Sequence, residues 1–561
     1  MILAPGEKRE RPFWGYPFGL ISGPFPESRM RPIRHFAVPL LASTVFCSTP
    51  GAEPSPRPGA VAASAPTLVV LITVDQMRMD YFDRWKGQLT GGLKRLGSEG
   101  AFFTDAHQDH AITETAPGHA SLMSGRFPRS TGITRNAAGV NDNGWPLLGG
   151  ATGPGAAPLR FRGTELFDWM EKVTPQSRAL SVSYKDRGAI LPVGRSKQEV
   201  YWYSSNGMFT TSKWYRDTLP DWVIAFNNRK LPQSYAGKVW DLLLPAGSYA
   251  EPDSVPIEAR GGGFMFPHRL PGGDSTTRFL PITPFMDEVT AAIALEGVNK
   301  LGIGKGPAPD LLAVSFSATD IIGHTYGPDS REIHDQILRL DRTIGMLIDS
   351  LFKLRDSTQV AIVLSADHGV QPYPELNNGR LSPAPARVDL RPATAVLEKM
   401  LTDSGANLRA LDFESGALFL DQDSINVSSR WAGIAVDSFL AAARRIPGIA
   451  RAERLSDLAR KDLGKDMIAR RWVQMFPPDL PVIATITMTP GSYWWYVPGA
   501  THGSPNLQDS HVPIVFYGPW FKPGRYGQFA RTVDIAPTLA QVLGVTPLEP
   551  IDGRALKAAI R

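Results

Sequence analysis

The sequence predicts an α/β protein with a mostly parallel central sheet flanked by helices. Three observations predict it. Continuous apolar runs rich in β-branched residues occur at 68–74, 311–316, 360–365 and 512–517, as expected of strands buried on both faces of a sheet. Amphipathic stretches lie between them: across 333–354, Ile337, Leu340, Ile344, Leu347, Ile348 and Leu351 recur at helical spacing. Polar residues of metal-ligand type (Asp75, Asp320 and Asp367-His368) stand just past the ends of three of these runs, where open α/β sheets bind ligands.

Length and composition set the bounds. The chain has 561 residues, 43% hydrophobic and 20% charged, enough apolar material for a large packed core and too much for global disorder. Its 53 Gly and 49 Pro follow no collagen-like period and point to many turns and long loops. A net charge of +5 without a basic stripe gives no support to nucleic-acid binding. The single cysteine, Cys47, rules out an internal disulfide framework, a Cys-rich zinc finger and an iron–sulfur site. Any metal site must be built from His and carboxylates.

Taken in order, the chain opens on an export signal. Arg31 and Arg34 follow Met30, and residues 36–46 form an apolar run of signal-core length, far short of the roughly 20 residues of a membrane span. Cleavage is expected before about residue 66, with residues 1–29 an upstream extension and 48–65 a Pro/Ala/Gly/Ser tether. The location implied is periplasmic or extracellular, with no transmembrane anchor. The fold begins at Thr67 and runs to about 556 as one catalytic domain. Two inserts, about 195–280 and 375–500, read as cap segments over the site.

The strand-end residues form a constellation. Asp75, Asp320, Asp367, His324, His368 and His502 are all oxygen or imidazole donors, and they suit two Zn²⁺ sites of three side chains each. Two metals side by side stabilise both the attacking and the leaving oxygen of a phosphoryl transfer. A nucleophile candidate lies in Thr115-Ala116-Pro117-Gly118-His119. Pro117 in a first helical turn makes Thr115 the expected N-cap. The residue is either a plain cap or a nucleophile aided by the helix field and a metal. A free threonine hydroxyl is too basic to ionise near neutral pH, so metal coordination is its natural activator.

Asp75, the Thr115-Ala-Pro-Gly-His segment, Asp320-x-x-x-His324, Asp367-His368-Gly369 and His502-Gly503 resemble the alkaline phosphatase superfamily, most closely its PafA-like bacterial members with a threonine nucleophile. Asn136 in Gly132-Ile-Thr-Arg-Asn136 and the Lys185-Asp186-Arg187 segment are similar to the same group. The resemblance spans about 66–556. It implies an alkaline-phosphatase-like fold with cap inserts and a zinc-dependent phosphoric monoester hydrolase. Such an enzyme forms a covalent phospho-threonine and releases an alcohol and inorganic phosphate. It also implies roles: Asp320, His324 and His502 hold one zinc, and Asp75, Asp367, His368 and Thr115 hold the second. Asn136, Lys185 and Arg187 bind the phosphoryl oxygens. In an extended segment residues two apart face one side, so Lys185 and Arg187 are expected to point together and Asp186 away. Two cations suit the dianion of a monoester.

The substrates expected are small phosphate esters, handled by a monomer with no nucleic acid required. A nucleotide pyrophosphatase/phosphodiesterase of the same superfamily is the alternative; it shares the metal ligands and normally lacks the Lys-x-Arg pair. A sulfatase needs Cys or Ser where this chain has Thr115. A secreted, non-catalytic metal- or phosphate-binding protein is the non-enzyme alternative. His119 is expected to pack or bond within its helix. The roles of His107 and His110 stay open at this level. Tyr493-Trp494-Trp495-Tyr496 is read as core that could wall the pocket.

Overall fold

The computed structural model describes residues 65–377 and 379–561. The expected signal, the tether and Cys47 lie outside the described residues. The strands of the main sheet are, in chain order, β1 (Leu68–Val74), β2 (Ala101–His107), β3 (Ala179–Ser183), β4 (Glu199–Tyr203), β5 (Phe209–Thr210), β6 (Asp310–Phe316), β7 (Val360–Ser365), β8 (Ile514–Tyr517) and β9 (Gly524–Arg531). They form one nine-stranded sheet in the order β9-β2-β8-β7-β1-β6-β3-β4-β5.

β1 sits at the centre, parallel to β6 on one side and β7 on the other, with Thr73 level with both Ser315 and Ser365. This register brings the carboxyl ends of three strands to one line, and the chain leaves them at Asp75, Ser317 and Ala366. Both faces of β1 are covered. Leu68, Val70, Ile72 and Val74 enter one core with Ile337, Ile344 and Ile348, while Val69 and Leu71 enter a second with Met123 and Leu539. Each such side chain, fully buried, contributes about 1.5–3 kcal/mol relative to exposure. The helix Arg331–Leu354 lays the predicted apolar stripe on the sheet. It is opened by Ser330, whose Oγ accepts the Ile333 N–H at 3.1 Å.

The sheet is mostly parallel, as expected, and the 512–517 run is a strand, β8, which runs antiparallel to both β2 and β7. A strand buried on both faces has the same apolar pattern in either direction, so its sense is not legible. The first insert does not begin at 195: β4 lies parallel beside β3, and Tyr201, Trp202 and Tyr203 belong to the main sheet. Aromatic residues pack in a buried sheet strand as well as in a separate core, and Tyr201, Trp202 and Tyr203 are all buried.

Within the second insert, Leu411–Glu414, Ala417–Leu420, Ile449–Arg454 and Val482–Met488 form a separate four-stranded sheet. Helices Arg391–Asp403 and Ser429–Ala443 cover it through Leu397, Leu401, Leu418, Val436, Phe439 and Ile486.

Candidate active site

Thr115 is the first residue of the helix Thr115–Ser124 and follows extended Glu114. The sequence placed it one residue earlier, as the N-cap. The N-cap is Glu114, whose side chain makes no capping bond. Thr115 Oγ1 lies 3.3 Å from Lys185 Nζ and 3.5 Å from His368 Nε2, in a fully buried setting. The plain-cap reading of Thr115 is thereby overturned. Gly118 lets the helix rest on the end of β7: a β-carbon there would meet the Asp367 carbonyl oxygen at 2.1 Å.

The ligand-type residues gather in two triads, Asp320-His324-His502 and Asp75-Asp367-His368, each with its donor atoms within 4.8 Å of one another. Asp320 and His324 share a face of the helix Ala318–Tyr326 because they are four residues apart. The histidines point their Nε2 atoms inward for a definite reason. His324 Nδ1 donates to the Ala500 carbonyl at 2.6 Å, His502 Nδ1 to Thr113 at 2.7 Å, and His368 Nδ1 to Gly369 at 2.9 Å. With the proton committed to Nδ1, each Nε2 offers a lone pair. Those of His324 and His502 face each other across 3.2 Å, and His368 Nε2 stands 3.5 Å from Asp75 and 3.6 Å from Asp367. Lone pairs converging among carboxylate oxygens, with Asp75 Oδ1 buried without a hydrogen-bond donor, fit divalent cations of the zinc type.

Charge is concentrated here. Burial, then Asp367 and Asp320, push the Asp75 carboxyl well above the usual range, against the pull of Lys185. Burial acts the same way on Asp320, but Lys185 and His324 outweigh it and hold that carboxyl well below the usual range. Asp367 is likewise lowered, burial being overcome by His368 and His119. Asp320 raises His324 against burial. Burial, His368 and His324 lower His502.

Lys185 is buried, with Nζ 2.7 Å from Asp75 and 2.6 Å from Asp320. Burial opposes its charge, but these two carboxylates raise its pKa. The extended-segment argument for Lys185 and Arg187 fails. Lys185 is extended, but the chain turns into the helix Asp186–Ile190 immediately after it. Ser183 Oγ accepts the Lys185 N–H at 3.0 Å and fixes the turn. Arg187 therefore reaches the site from a first helical turn. Its pKa is raised against burial by Asp186, Asp75, Asp320 and Asp367, and its Nε has no hydrogen-bond partner. Asn136 accepts the Ala116 N–H on Oδ1 at 2.8 Å, which assigns the amide and leaves Nδ2 as a donor.

Two residues, Gln76 and Glu114, escaped the sequence reading, and a third, His119, does more than it expected. Gln76 donates its backbone N–H to Asp367 at 3.1 Å and its amide to Asp320 at 2.8 Å, from a left-handed backbone with φ 67°. It thus ties the two triads together, and strain of this sort persists only where the surroundings enforce it. His119 bonds within its helix as expected, Nδ1 to the Thr115 carbonyl at 2.9 Å, and reaches further: Nε2 bonds Ser315 at 2.9 Å, and Nδ1 lies 3.1 Å from Asp367. Glu114 holds Asn136, as described below. Only adjacency to Asp75 and Thr115 could have drawn attention to Gln76 and Glu114.

A further cluster, Asp105, His107 and His511, behaves differently. Arg471 Nη2 lies 3.2 Å from His107 Nδ1 and so requires that nitrogen as acceptor. Nε2 must then carry the proton it shares with Asp105 at 2.8 Å, which removes the lone pair a metal would need. Burial and Arg471 push His107 down to about 4. His110, buried and pushed down to about 3, bonds Gln108 at 3.1 Å. Both are structural. Tyr493 is core, but Trp495 and Tyr496 are largely exposed, at 45% and 59%.

The fold and the strand-end site define an enzyme of the alkaline phosphatase superfamily. A family model, type I phosphodiesterase/nucleotide pyrophosphatase, matches residues 69–144 and 190–411. The chain is 30% identical to alkaline phosphatase PhoD of Zymomonas mobilis, over 92% of this chain and 93% of that one. It is 28% identical to alkaline phosphatase PhoK of a Sphingomonas species, over 88% and 92%. It superposes on the crystal structure of alkaline phosphatase PafA with a TM-score of 0.81 at 26% identity, covering 90% of this chain and all of that one. The chain belongs to the type I phosphodiesterase/nucleotide pyrophosphatase family. Among the described residues no helix is long and apolar enough to cross a membrane.

Proposed function

We propose that the protein is an exported alkaline phosphatase that hydrolyses phosphate monoesters through a phospho-threonine, with two Zn²⁺ held by the two triads. One observation carries the reading: the ammonium of Lys185 stands 3.3 Å from the Thr115 hydroxyl, inside a ring of carboxylates and inward-facing imidazoles. A nucleophile with a buried cation beside it is built to receive a highly charged phosphoryl group. When bound, the metals supply Lewis acidity to the attacking and leaving oxygens.

The chain's own residues do the rest. Thr115 Oγ1 gives up its proton and attacks phosphorus, and the bond to the ester oxygen breaks in line, the leaving oxygen taking up a proton to become the alcohol. Asn136 Nδ2, Lys185 and Arg187 bind the non-bridging oxygens. In the second step water attacks the same phosphorus, the bond to Oγ1 breaks, the hydroxyl regains a proton, and phosphate departs. His119 anchors the first turn of the nucleophile helix through the Thr115 carbonyl at 2.9 Å.

The phosphodiesterase reading is favoured by the name of the family model and opposed by Lys185 and Arg187, since a diester carries one charge less. Replacing both with Ala tests this. Charge-assisted bonds are worth about 1.5–3 kcal/mol each, so kcat/KM for aryl phosphate monoesters is expected to fall more than a hundredfold, with much smaller loss for diesters and unchanged zinc content. Equal proportional losses would make the pair structural and remove the monoester assignment.

A further inference from the structure

Leu411–Glu414 and Ala417–Leu420 of the cap sheet pair antiparallel with Glu414 opposite Ala417, so Ser415 and Gly416 form a two-residue turn. Both have positive φ, 50° and 82°. Hairpin turns of this kind favour Asn-Gly or Gly-Gly. Serine in the left-handed region carries a steric penalty that glycine avoids. A strained residue at an otherwise ordinary hairpin tip asks what its side chain does.

The tip grips the active site at two points. Ser415 Oγ donates to Glu114 Oε1 at 2.8 Å. Glu414 pairs with Arg135 at 2.6 Å, and that guanidinium lies over the Phe419 ring of the same hairpin, 4.7 Å from its centroid. The second oxygen of Glu114 accepts the Asn136 backbone N–H at 2.7 Å. Residues 414 and 415 therefore hold residues 135 and 114, the immediate predecessors of Asn136 and Thr115.

We propose that Glu114 and Ser415 are positioning residues: the cap hairpin tip fixes the Asn136 amide relative to the Thr115 hydroxyl, so the cap acts on phosphoryl binding without touching phosphate. This rests on the reading of Asn136 as a phosphoryl ligand. Without the clasp, Asn136 keeps its bond to Ala116 but loses the anchor on its own backbone, and the geometry of its one free donor relaxes.

The test is a double-mutant cycle on the full-length, metal-loaded enzyme. It reads kcat/KM on para-nitrophenyl phosphate, inhibition by inorganic phosphate, metal content and Tm. Ser415→Gly deletes the hydroxyl and relieves the backbone, so Tm is expected to hold or rise while kcat/KM falls severalfold. Glu114→Ala breaks both bonds and is expected to cost about tenfold or more, with weaker phosphate inhibition; Glu114→Gln, which keeps an acceptor, loses less. In an Asn136→Ala background the Ser415→Gly and Glu114→Ala losses are expected to vanish. Losses that persist undiminished in that background, or no loss from Ser415→Gly, overturn the clasp. If Asn136→Ala alone changes neither kcat/KM nor phosphate inhibition, the phosphoryl-ligand reading of Asn136 is what fails, and the clasp with it.

Discussion

Gly118→Ala is the most informative single substitution at the nucleophile helix. The new β-carbon would meet the Asp367 carbonyl oxygen at 2.1 Å and its carbonyl carbon at 2.7 Å, where ordinary contact begins at 3.4 Å. The helix and the end of β7 must part by about 1 Å, because two of the three obstructing atoms are backbone and the third, the Asp367 β-carbon at 2.7 Å, is fixed to that backbone and cannot swing aside. Thr115 rides on the helix and Asp367 on the strand end, so the displacement falls between proposed nucleophile and proposed metal ligand. A misplacement of that size costs about a hundredfold in rate. Overpacking costs about 1–3 kcal/mol of stability, which lowers Tm without unfolding a domain with two buried sheet faces. The assay is kcat and kcat/KM on para-nitrophenyl phosphate beside Tm and metal content. The expected result is a folded protein with kcat down about a hundredfold. A G118A enzyme with unchanged kcat would refute the claim that direct helix-on-strand contact sets the nucleophile.

Chelation is expected to abolish activity, and His324→Ala or Asp367→Ala to lower zinc content and activity together, measured by elemental analysis and kinetics; full activity in metal-free protein would refute the metal sites. Glu258, away from the triads, is raised to about 9 by burial and by Glu332, Asp253 and Asp329. Because its folded pKa lies above the unfolded value, its contribution is fully present below about pH 4.5 and is lost as pH rises toward 9. Glu258→Gln mimics the protonated form, so its Tm advantage over wild type is expected to be near zero at pH 5 and clear at pH 9; an equal difference at both pH values would show that Glu258 titrates normally in the fold.

What was legible in the sequence was whatever its own neighbours determine. The apolar run of β1 ends at Asp75, and that single boundary points to the candidate site, because a strand buried on both faces can present a carboxylate only where it leaves the sheet. Likewise Pro117 marks a helix start and puts Thr115 within one residue of its actual position. The errors share a different cause. Lys185 and Arg187 were paired through strand periodicity, yet Ser183 turns the chain into a helix between them, and that bond depends on where β3 ends in the sheet. The antiparallel sense of β8, which the expectation of a mostly parallel sheet leaves open, likewise depends on which neighbours it meets and not on its composition. Gln76 and Glu114 bond groups 244 to 301 residues away, and nothing local distinguishes them from solvent-facing polar residues. The Ser415-Gly416 turn shows both sides of the divide. The Ser-Gly pair between Leu-Asp-Phe-Glu and Ala-Leu-Phe-Leu is of a turn-forming type, but the hydroxyl's target is set by how the cap seats on the main sheet. The candidate ligands that the fold gathers into two triads can thus be read from strand ends, whereas the residues that aim them belong to the tertiary structure and are found only by following each buried polar atom to its partner.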